Sequence, residues 1–409
     1  MAEPRILAII QAGGAGGRMD VLTRERAKPT LPFAGIYQLV DFPLSNLRHS
    51  GIVDVWLSVQ YLGATLEDEV ANGRPWDLDR TTGGLRLLMP QQGTGSTDEE
   101  GFARGNADEL YRIRDQISAA DPELVLVMSA DHVYRFDYMD AVRTHREAGA
   151  SCTVVTTEVR REEAGDHATV EVGEDDVVTG FEYKPDEPKT STVATEIFVY
   201  SPSVLIETLE QLHRELGGDS GPGDTGLGDF GDHLLPRLVE STLVVAHRLP
   251  GYWRDLGEPH KYLRAHLDAL VDDLGVFDDS DRPILTRHPQ RVPARVLDGG
   301  RVEDSMLSPG CRVAGTVVRS VIGPGVVVEP GAVVRESVVF TGSVIRSDAR
   351  VERAIVDRDC VIGAGATVGE HQDGPPDDSE SVTLVGRGCR VPDQATIEAG
   401  GRLEPGTTG

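Results

Sequence analysis

The first 250 residues alternate two hydrophobic patterns along the chain. Short apolar runs predict β-strands, and longer segments with an apolar residue every three or four positions predict amphipathic helices. The segment that begins at Asn106 shows the helical signals best, because Asn106 can cap the helix and Asp108 and Glu109 lie in its first turn. Such alternation predicts a mainly parallel sheet with helices on both faces. The predicted strands are 5–11, 53–60, 124–129, 152–157, 177–183, 193–200 and 243–248, and the predicted helices are 43–50, 62–72, 106–120, 137–148, 202–215 and 230–240.

From about residue 292 the apolar residues recur every six positions instead. A hexapeptide period predicts a parallel β-helix, in which each coil buries its apolar residues against the next. The acidic segment 370–381, rich in Pro and Gly, interrupts the repeat and is predicted to be an exposed loop. We therefore predict a domain over 1–270, a linker over 271–291 and a repeat domain over 292–409. The repeat positions are Ile322, Val328, Val334, Phe340, Val356, Ile362, Val368, Val385, Val391, Ile397 and Leu403.

The charge of the chain limits its partners. A net charge of −27 argues against nucleic acid and against anionic membranes as the main partner, although a small pocket can still be basic. No apolar stretch approaches the roughly 20 residues that span a bilayer, and the N-terminus has no signal pattern. The four cysteines are scattered without metal-binding spacing, which indicates reduced thiols. These features predict a cytoplasmic protein.

A glycine-rich loop follows the first predicted strand, in the sequence "QAGGAGGRMDVLTRERAKP" at 11–29. It is not a Walker loop, because Arg18 follows Gly17, and it is not a dinucleotide fingerprint, because Met19 stands where that pattern needs glycine. The glycines allow the backbone to approach an anion closely, and Arg18 and Lys28 add positive charge. These residues alone leave two alternatives open, a nucleotide phosphate loop and a tight strand–helix turn.

The loop resembles the nucleotide loop of sugar-1-phosphate nucleotidylyltransferases, and within that class the ADP-glucose pyrophosphorylase (glucose-1-phosphate adenylyltransferase) family. The resemblance covers nearly the whole chain and implies a Rossmann-like α/β nucleotidyltransferase domain with a mainly parallel mixed sheet, followed by a left-handed parallel β-helix of hexapeptide repeats. Further segments carry it in the same order: "VDFPLSNLRHSGI" (40–52), "RGNADELY" (104–111), "SADHVYRFDY" (129–138), "FEYKP" (181–185), "GDFGDHLLPRLV" (228–239) and "GYWRDLGEPHKYLRAHLDAL" (251–270).

This resemblance implies Mg²⁺-dependent transfer of the adenylyl group of ATP to a hexose 1-phosphate, most simply glucose 1-phosphate. The products are ADP-glucose, for glycogen or α-glucan synthesis, and pyrophosphate. The sugar phosphate oxygen attacks the α-phosphorus in line, so the protein has to position the substrates and neutralise their charge. Family members are commonly allosteric homotetramers, and we expect the same assembly here.

The resemblance also assigns roles to individual residues. Arg18 contacts the triphosphate and the departing pyrophosphate, Lys28 binds the phosphates, and Asp131 and Asp255 hold Mg²⁺. Two carboxylates suffice for Mg²⁺ because phosphates and waters complete its shell. Asp131 alone also fits a helix N-cap, and His132 is interpreted as a structural hydrogen-bonding residue. The implied nucleotide-binding positions are Ala12, Gly13, Gly14, Gly16, Arg18, Gln91, Gly105 and Asp131.

The implied sugar pocket departs from the family pattern. Lys184 corresponds to the lysine that grips the sugar phosphate, and its implied pocket neighbours are Tyr183, Ala168 and Glu196. These departures leave two alternatives, divergence with compensation and a different substrate such as glucosamine 1-phosphate. The changed positions are Ala103 for an aromatic residue, Tyr183 for glutamate, Ala168 for glycine, and Ala194, Thr195 and Glu196 for a Ser-Met-Gly segment.

The sequence also bears on regulation and on two other function classes. Glu25 replaces a lysine that relatives use for a sugar-phosphate activator, so we expect regulation to differ. A non-catalytic scaffold, as in subunits of a translation-factor exchange complex, would not need the cations and aspartates together. An acyltransferase β-helix normally needs a catalytic histidine, but 292–368 contains none, and His371 lies in the interruption. The sequence therefore favours an active nucleotidyltransferase.

Overall fold

The computed structural model describes residues 4–14, 16–90, 102–217, 225–271 and 274–409. The chain folds into two compact units. The first unit contains Met1–Gly14, Phe42–Ala130 and Tyr134–Trp253, and the second contains Ala15–Asp41, Asp131–Val133 and Arg254–Gly409. The predicted domain boundary at residue 270 and the linker after it stay predictions.

Thirteen strands and eight α-helices are described in residues 4–271. The predicted helix 106–120 is two consecutive helices, and the predicted helix 230–240 begins with a π-helical turn, Phe230–Leu234. The strands are β1 (Ile6–Ala12), β2 (Pro32–Phe33), β3 (Tyr37–Gln38), β4 (Asp54–Val59), β5 (Gly84–Leu88), β6 (Leu124–Ser129), β7 (His132–Tyr134), β8 (Cys152–Glu158), β9 (Ala168–Val172), β10 (Val178–Tyr183), β11 (Thr192–Tyr200), β12 (Val244–Arg248) and β13 (Trp253–Asp255). The helices are α1 (Asp41–His49), α2 (Gly63–Val70), α3 (Asn106–Arg112), α4 (Arg114–Ala120), α5 (Tyr138–Ala148), α6 (Pro202–Leu216), α7 (Leu235–Ser241) and α8 (Pro259–Asp268).

A nine-stranded mixed sheet is the centre of the first unit. Its main path runs β10-β9-β11-β6-β1-β4-β5, and β8 pairs with both β11 and β12. Strands β6, β1, β4 and β5 are parallel to one another, as are β8 and β12, whereas β11 runs antiparallel to β6 and β8. This arrangement confirms the predicted α/β fold with a mainly parallel mixed sheet. The carboxyl ends of β1 and β6 lie side by side, with Gln11 opposite Ser129.

The second unit contains a parallel β-helix. Three six-stranded parallel sheets form its faces, and their strands are two or three residues long. The predicted left-handed β-helix of hexapeptide repeats is confirmed as a fold class by these sheets. Their orders are β14-β17-β20-β23-β26-β29, β15-β18-β21-β24-β27-β30 and β16-β19-β22-β25-β28-β31. The strands are β14 (Arg295–Val296), β15 (Arg301–Glu303), β16 (Met306–Leu307), β17 (Arg312–Val313), β18 (Thr316–Val318), β19 (Val321–Ile322), β20 (Val327–Val328), β21 (Val333–Arg335), β22 (Val338–Val339), β23 (Val344–Ile345), β24 (Arg350–Glu352), β25 (Ala354–Val356), β26 (Val361–Ile362), β27 (Thr367–Val368), β28 (Thr383–Val385), β29 (Arg390–Val391), β30 (Thr396–Ile397) and β31 (Arg402–Leu403).

The six-residue period works because each coil places an apolar side chain inside the prism. Val328, Val334 and Ile362 are completely buried against the coils above and below them. Burying one such side chain contributes roughly 1.5–3 kcal/mol, so the stack provides most of the stability of these short strands. The interruption 370–381 falls between β27 and β28 and is mostly exposed, as predicted.

All four cysteines are buried and free, in agreement with the predicted reduced thiols. Within the described part of the chain, none of the helices combines the length and the apolar character needed to cross a bilayer.

A buried ion pair connects two distant segments of the second unit. Arg26 donates to the carboxylate of Asp357, and 6% and 1% of the two side chains are exposed. The Arg26 guanidinium also lies 5.9 Å from the ring centroid of Phe340, and the backbone N–H of Arg358 donates to the same carboxylate at 2.6 Å. Removing one partner of such a pair leaves a buried charge without compensation, which is far more costly than losing an exposed pair.

We expect Asp357→Asn to lower the free energy of unfolding by about 3–5 kcal/mol, because the Arg26 guanidinium stays buried without a counter-charge. The comparison variant is Glu303→Gln, which removes an exposed pair with Arg301 on the same β-helix and should cost less than about 1 kcal/mol. Chemical denaturation of both variants measures the difference. Equal losses for the two variants would contradict a special role of the Arg26–Asp357 pair.

Candidate active site

The chain that leaves β1 turns sharply at Gly16. Gly16 has φ +67°, a left-handed conformation, and the residues after it form a short 3₁₀ segment, Gly17–Thr23. The Thr23 hydroxyl donates to the Gly16 carbonyl at 2.8 Å. A Cβ atom at residue 16 would lie 3.2–3.3 Å from side-chain atoms of Thr23 and Lys28. Glycine is therefore required here both for its backbone angle and for its small size.

Lys28 carries a buried charge. Its side chain is 9% exposed, and its ammonium group forms an ion pair with Asp131, whose side chain is 21% exposed. Burial lowers the pKa of Lys28, but the carboxylates of Asp131 and Asp255 outweigh that effect and raise the pKa above its ordinary value. Lys28 is therefore a permanent cation, and a following proline, Pro29, fixes its short 3₁₀ turn.

The two predicted metal ligands converge on one histidine. His132 Nε2 lies 3.5 Å from Asp131 Oδ1 and 3.7 Å from Asp255 Oδ1. Strands β7 and β13 pair as a two-stranded sheet, which brings His132 and Asp255 side by side although they are far apart in the sequence. The His132 side chain is 4% exposed, so this ring packs behind the carboxylates. Asp131 and Asp255 therefore lie against the same histidine, and their role as metal ligands stays a prediction.

Arg18 lies at the exposed edge of the same cluster. Its guanidinium is 3.9 Å from Glu258 Oε1, and 61% of its side chain is exposed. A Cβ atom on Gly257 would lie 3.2 Å from the Arg18 Nη2 atom and 3.3 Å from both carboxylate oxygens of Asp255. Arg18 and Asp255 thus both lie against Gly257, where an added side chain would force its neighbours to shift by a few tenths of an ångström. One cation, Lys28, is buried, and the other is open to a ligand.

The donor set fits a hard divalent cation that is completed by its substrate. The described residues include no group of three or more His, Cys, Asp and Glu side chains arranged to hold a metal. Asp131 and Asp255 supply two carboxylates, which is the number that Mg²⁺ needs when phosphates and waters provide its other ligands. The two aspartates are the residues of this cluster that could hold such an ion.

The remaining nucleotide-loop positions lie in the first unit. Ala12 ends β1, a Cβ atom on Gly13 would collide with Gln60 Nε2 at 2.5 Å, and a Cβ atom on Gly14 would meet nothing within 4 Å. Gly105 precedes α3, where a Cβ atom would lie 2.2 Å from the Gly228 backbone. Gly13 and Gly105 therefore allow close packing, whereas Gly14 presents open backbone. Gln91 lies outside the described residues.

The predicted sugar-binding residues form a separate group in the first unit. Ala168 pairs with Tyr183 across β9 and β10, and the Tyr183 hydroxyl donates to Asp229 Oδ2 at 3.1 Å. The Tyr183 ring packs against Gly231, where a Cβ atom would lie 2.1 Å from the ring. Lys184 follows with φ +47°, and its ammonium group lies 4.8 Å from the centroid of the Tyr183 ring. The lysine is thus held over an aromatic face.

Glu196 belongs to the same group. It has φ +58° and lies in β11, where the pairing with β8 shifts register between Ala194 and Phe198. Burial raises the pKa of Tyr183 well above its usual range, and the negative charges of Asp229 and Glu196 raise it further. The Glu196 carboxylate therefore acts electrostatically on Tyr183. Because of this register shift, the alternation of side chains along β11 does not predict which face of the sheet the Glu196 side chain occupies.

Sequence reasoning did not identify Gly257 or Glu258 as part of the cluster around Arg18. Both lie within three residues of Asp255, and the signal that could have found them is the sharp "DLGEP" turn between a strand and a helix. His132, which the sequence predicts to be structural, contacts both aspartates.

A buried carboxyl group at the end of β1 was also missed. Glu109 on α3 is 5% exposed, and Gln11 Nε2 donates to its Oε2 atom at 3.0 Å and to the Asn106 carbonyl at 2.8 Å. Burial raises the pKa of Glu109 to about 7, although hydrogen bonds from Ser58 and Gln11 oppose the shift. The group is therefore partly protonated near neutral pH, beside Gln11 of β1.

Comparison with known proteins agrees with this geometry. Residues 7–271 match the family model described as nucleotidyl transferase, and residues 292–391 match the model described as GlmU-like, C-terminal hexapeptide. The chain belongs to the nucleotidyl transferase family. Members of this nucleotidyl transferase family generally use a divalent metal, and the chain is a nucleotidyltransferase enzyme.

Named relatives align over nearly the whole chain. A glucose-1-phosphate adenylyltransferase of Thermomicrobium roseum is 38% identical over 397 residues, covering 95% of this chain and 90% of the relative. The proteins of that name from Bacillus cereus strain Q1 and from Bacillus anthracis are each 32% identical over 388 residues, covering 94% of this nucleotidyltransferase and 99% of the relative.

The raised pKa of Glu109 predicts a pH-dependent stability. Between the ordinary value of 4.5 and about 7, the folded state binds more protons than the unfolded state, so the free energy of unfolding falls as pH rises. The fall is on the order of 3 kcal/mol between pH 4.5 and 7.5. We expect Glu109→Gln to remove most of it in denaturation curves recorded from pH 5 to 8.

A matched control for this measurement is Asp115→Asn, which changes an exposed acid on the neighbouring helix α4. The control should keep the pH dependence of the wild type. If Glu109→Gln showed the same slope as the wild type, Glu109 would not be the titrating group.

Proposed function

We propose that this enzyme transfers the adenylyl group of ATP to a hexose 1-phosphate, most simply glucose 1-phosphate, and releases ADP-glucose and pyrophosphate. The observation that carries the proposal is the cluster in which Arg18, Lys28, Asp131 and Asp255 meet at the glycine-rich turn. The relatives are named glucose-1-phosphate adenylyltransferase, which supports adenylyl transfer with a glucose phosphate as the acceptor.

The chemistry joins two anionic substrates. A phosphate oxygen of the sugar attacks the α-phosphorus, the bond to the bridging oxygen breaks, and pyrophosphate leaves with the electron pair. Lys28, which stays charged, lowers the repulsion between the phosphates. The exposed guanidinium of Arg18 donates hydrogen bonds to the pyrophosphate and stabilises the negative charge that develops there. Lys184 binds the phosphate of the sugar.

Magnesium is the proposed cofactor, and Asp131 and Asp255 are the residues that would hold it. When bound, Mg²⁺ supplies charge neutralisation and a fixed arrangement of phosphate oxygens. His132 keeps the two carboxylates turned toward each other by its contacts with both. A cytoplasmic location, a homotetrameric assembly and a role in glycogen or α-glucan synthesis complete the proposal.

Asp131→Asn tests the proposed site. We expect kcat to fall by about 10²-fold or more, because the amide keeps the shape of the side chain but removes a metal-binding charge. The assay measures pyrophosphate release with Mg²⁺ for each pairing of a nucleoside triphosphate with a sugar 1-phosphate. In the wild type, the pairing of ATP with glucose 1-phosphate should be among the fastest.

The control is Asp140→Asn, which removes an exposed carboxylate on α5 that pairs with Arg143. Its activity should match the wild type. If Asp131→Asn kept activity within about threefold of the wild type, Asp131 would have no place in the mechanism. No turnover of any pairing would reject the proposed function itself.

A second candidate substrate is an amino sugar, glucosamine 1-phosphate, and Glu196 is the observation that favours it. Its carboxylate lies near Tyr183, the neighbour of the phosphate-binding Lys184. A neutral sugar offers this carboxylate hydroxyl donors, whereas an amino sugar offers an ammonium. A charge-assisted hydrogen bond is roughly twice as strong as a neutral one.

We expect Glu196→Gln to lower the ratio of kcat/KM for glucosamine 1-phosphate to that for glucose 1-phosphate by roughly tenfold or more, because it removes the partner of the ammonium. Glu182→Gln is the control, since Glu182 is exposed on β10 and pairs with Lys189. A wild type that strongly prefers glucose 1-phosphate, with an unchanged ratio in Glu196→Gln, would reject the amino sugar.

A further inference from the structure

Arg402, in the last strand of the β-helix, donates hydrogen bonds from all three nitrogen atoms of its guanidinium. Its Nη1 atom donates to the carbonyls of Val382 at 2.6 Å and Gly400 at 2.7 Å, and its Nη2 atom donates to the carbonyl of Ser379 at 2.7 Å. Its remaining Nε–H donates to Asp20 Oδ2 at 3.0 Å. The guanidinium is therefore fixed by the backbone before it reaches Asp20, and it offers that carboxylate one fixed donor direction.

Asp20 has an unusual backbone. Its angles are φ 54° and ψ −130°, inside the short 3₁₀ segment that also carries Arg18. Glycine adopts such angles easily, whereas a residue with a Cβ atom is strained there. The Asp20 carboxylate has two interactions that can offset this strain, a hydrogen bond from Arg402 Nε at 3.0 Å and an ion pair with the more exposed Arg24 at 3.5 Å, and the bond from Arg402 is the shorter of the two.

Two other ion pairs join the same segment to the last coils, but their geometry is weaker. Arg24 lies 3.5 Å from Glu404, and Glu25 lies 3.9 Å from Arg387, with about half or more of each side chain exposed. Exposed pairs at such distances contribute little. The Asp20–Arg402 pair is shorter, and its side chains are 34% and 26% exposed, so it is the pair that holds the segment.

Ser379, which accepts a hydrogen bond from Arg402, also connects through His260 to Glu258. The Ser379 hydroxyl lies 2.8 Å from His260 Nδ1, and His260 Nδ1 is 3.6 Å from the carboxylate of Glu258, the acid beside Arg18. Ser379 belongs to the segment that interrupts the hexapeptide repeat. The interruption thus contacts both the Arg402 guanidinium and the helix that follows Asp255.

We propose that Asp20 and Arg402 are positioning residues that set the direction of Arg18, so that the end of the β-helix controls the charge available to the departing pyrophosphate. This inference rests on the proposed function of Arg18. Because a misplacement of about 1 Å at a reacting group can cost up to 10²-fold in rate, a loosened segment should lower kcat. It should leave the KM for the sugar phosphate unchanged, since Lys184 binds that group.

The decisive variants are Asp20→Gly and Asp20→Asn. Asp20→Gly relieves the backbone strain but removes the carboxylate, so we expect an unfolding temperature equal to or above that of the wild type and a kcat about tenfold lower. Asp20→Asn should lower kcat to a similar extent. Asp20→Glu restores the charge and should recover at least a third of the wild-type kcat. A purely structural role of Asp20 would make stability and kcat change in the same direction.

The matched control is Glu404→Gln, which removes an exposed pair between the same segment and the same coil. Its kcat should stay within about twofold of the wild type. A wild-type kcat in Asp20→Gly, or an equal loss in Glu404→Gln, would overturn the proposal. So would a rise in the sugar-phosphate KM as large as the fall in kcat.

Hydrogen exchange of residues 16–24 gives a readout that does not depend on turnover. We expect about tenfold faster exchange of this segment in Asp20→Asn than in the wild type and in Glu404→Gln. If the wild type catalysed no adenylyl transfer, the proposed function would fail, while faster exchange in Asp20→Asn would still support the anchoring of the segment. Unchanged exchange together with unchanged kcat would reject the positioning role.

Discussion

The buried ammonium of Lys28 is the constraint on which the charged cluster depends. An isolated buried charge is strongly unfavourable, so carboxylates have to stand beside it. Asp131 pairs with it directly, and Asp255 acts on it through its charge. Because these aspartates come from segments more than a hundred residues apart, the cluster forms only when β7 and β13 pair. The need to neutralise Lys28 therefore assembles the groups that are proposed to hold the metal.

The same principle explains how the segment before Lys28 is attached to the β-helix within the second unit. Arg26 pairs with Asp357 in a buried site, and Asp20 pairs with Arg402 in a partly exposed one. The two pairs have different consequences. Loss of the Arg26–Asp357 pair would leave a buried charge, so this pair stabilises the fold. Arg402 would keep its hydrogen bonds to backbone carbonyls without Asp20, so the Asp20–Arg402 pair is proposed to set the direction of Arg18 rather than to stabilise the fold.

Much of the fold could be predicted because its signals are local. The six-residue period predicts the β-helix from the sequence alone, since each coil repeats the same burial. The strands β5 and β9 were not predicted, because a charged residue interrupts the apolar run of each, Arg86 in β5 and Glu171 in β9. Their pairing is decided by the neighbouring strands rather than by their own pattern.

The site was predictable to the extent that a family resemblance connects distant residues. Nothing local joins Asp131 to Asp255, and nothing local joins Asp20 to Arg402, which are 382 positions apart.

The burial of Glu109 could not be predicted for a different reason. An acid in the first turn of a helix normally indicates an exposed residue that interacts with the helix dipole, but the position of α3 against β1 buries this one.

Backbone strain connects the two groups of functional residues. Asp20, Lys184 and Glu196 all have positive φ values, between 47° and 58°. Glycine would adopt these conformations without strain, so each side chain has to supply an interaction that offsets its own cost. Asp20 has Arg402, and Lys184 lies over the ring of Tyr183. The carboxylate of Glu196 acts on the same ring, beside a lysine whose proposed partner is a phosphate. Positive φ values at Lys184 and Glu196 thus mark the group around Tyr183, as that at Asp20 marks the contact with Arg402, as places where side-chain interactions hold the backbone in a costly conformation.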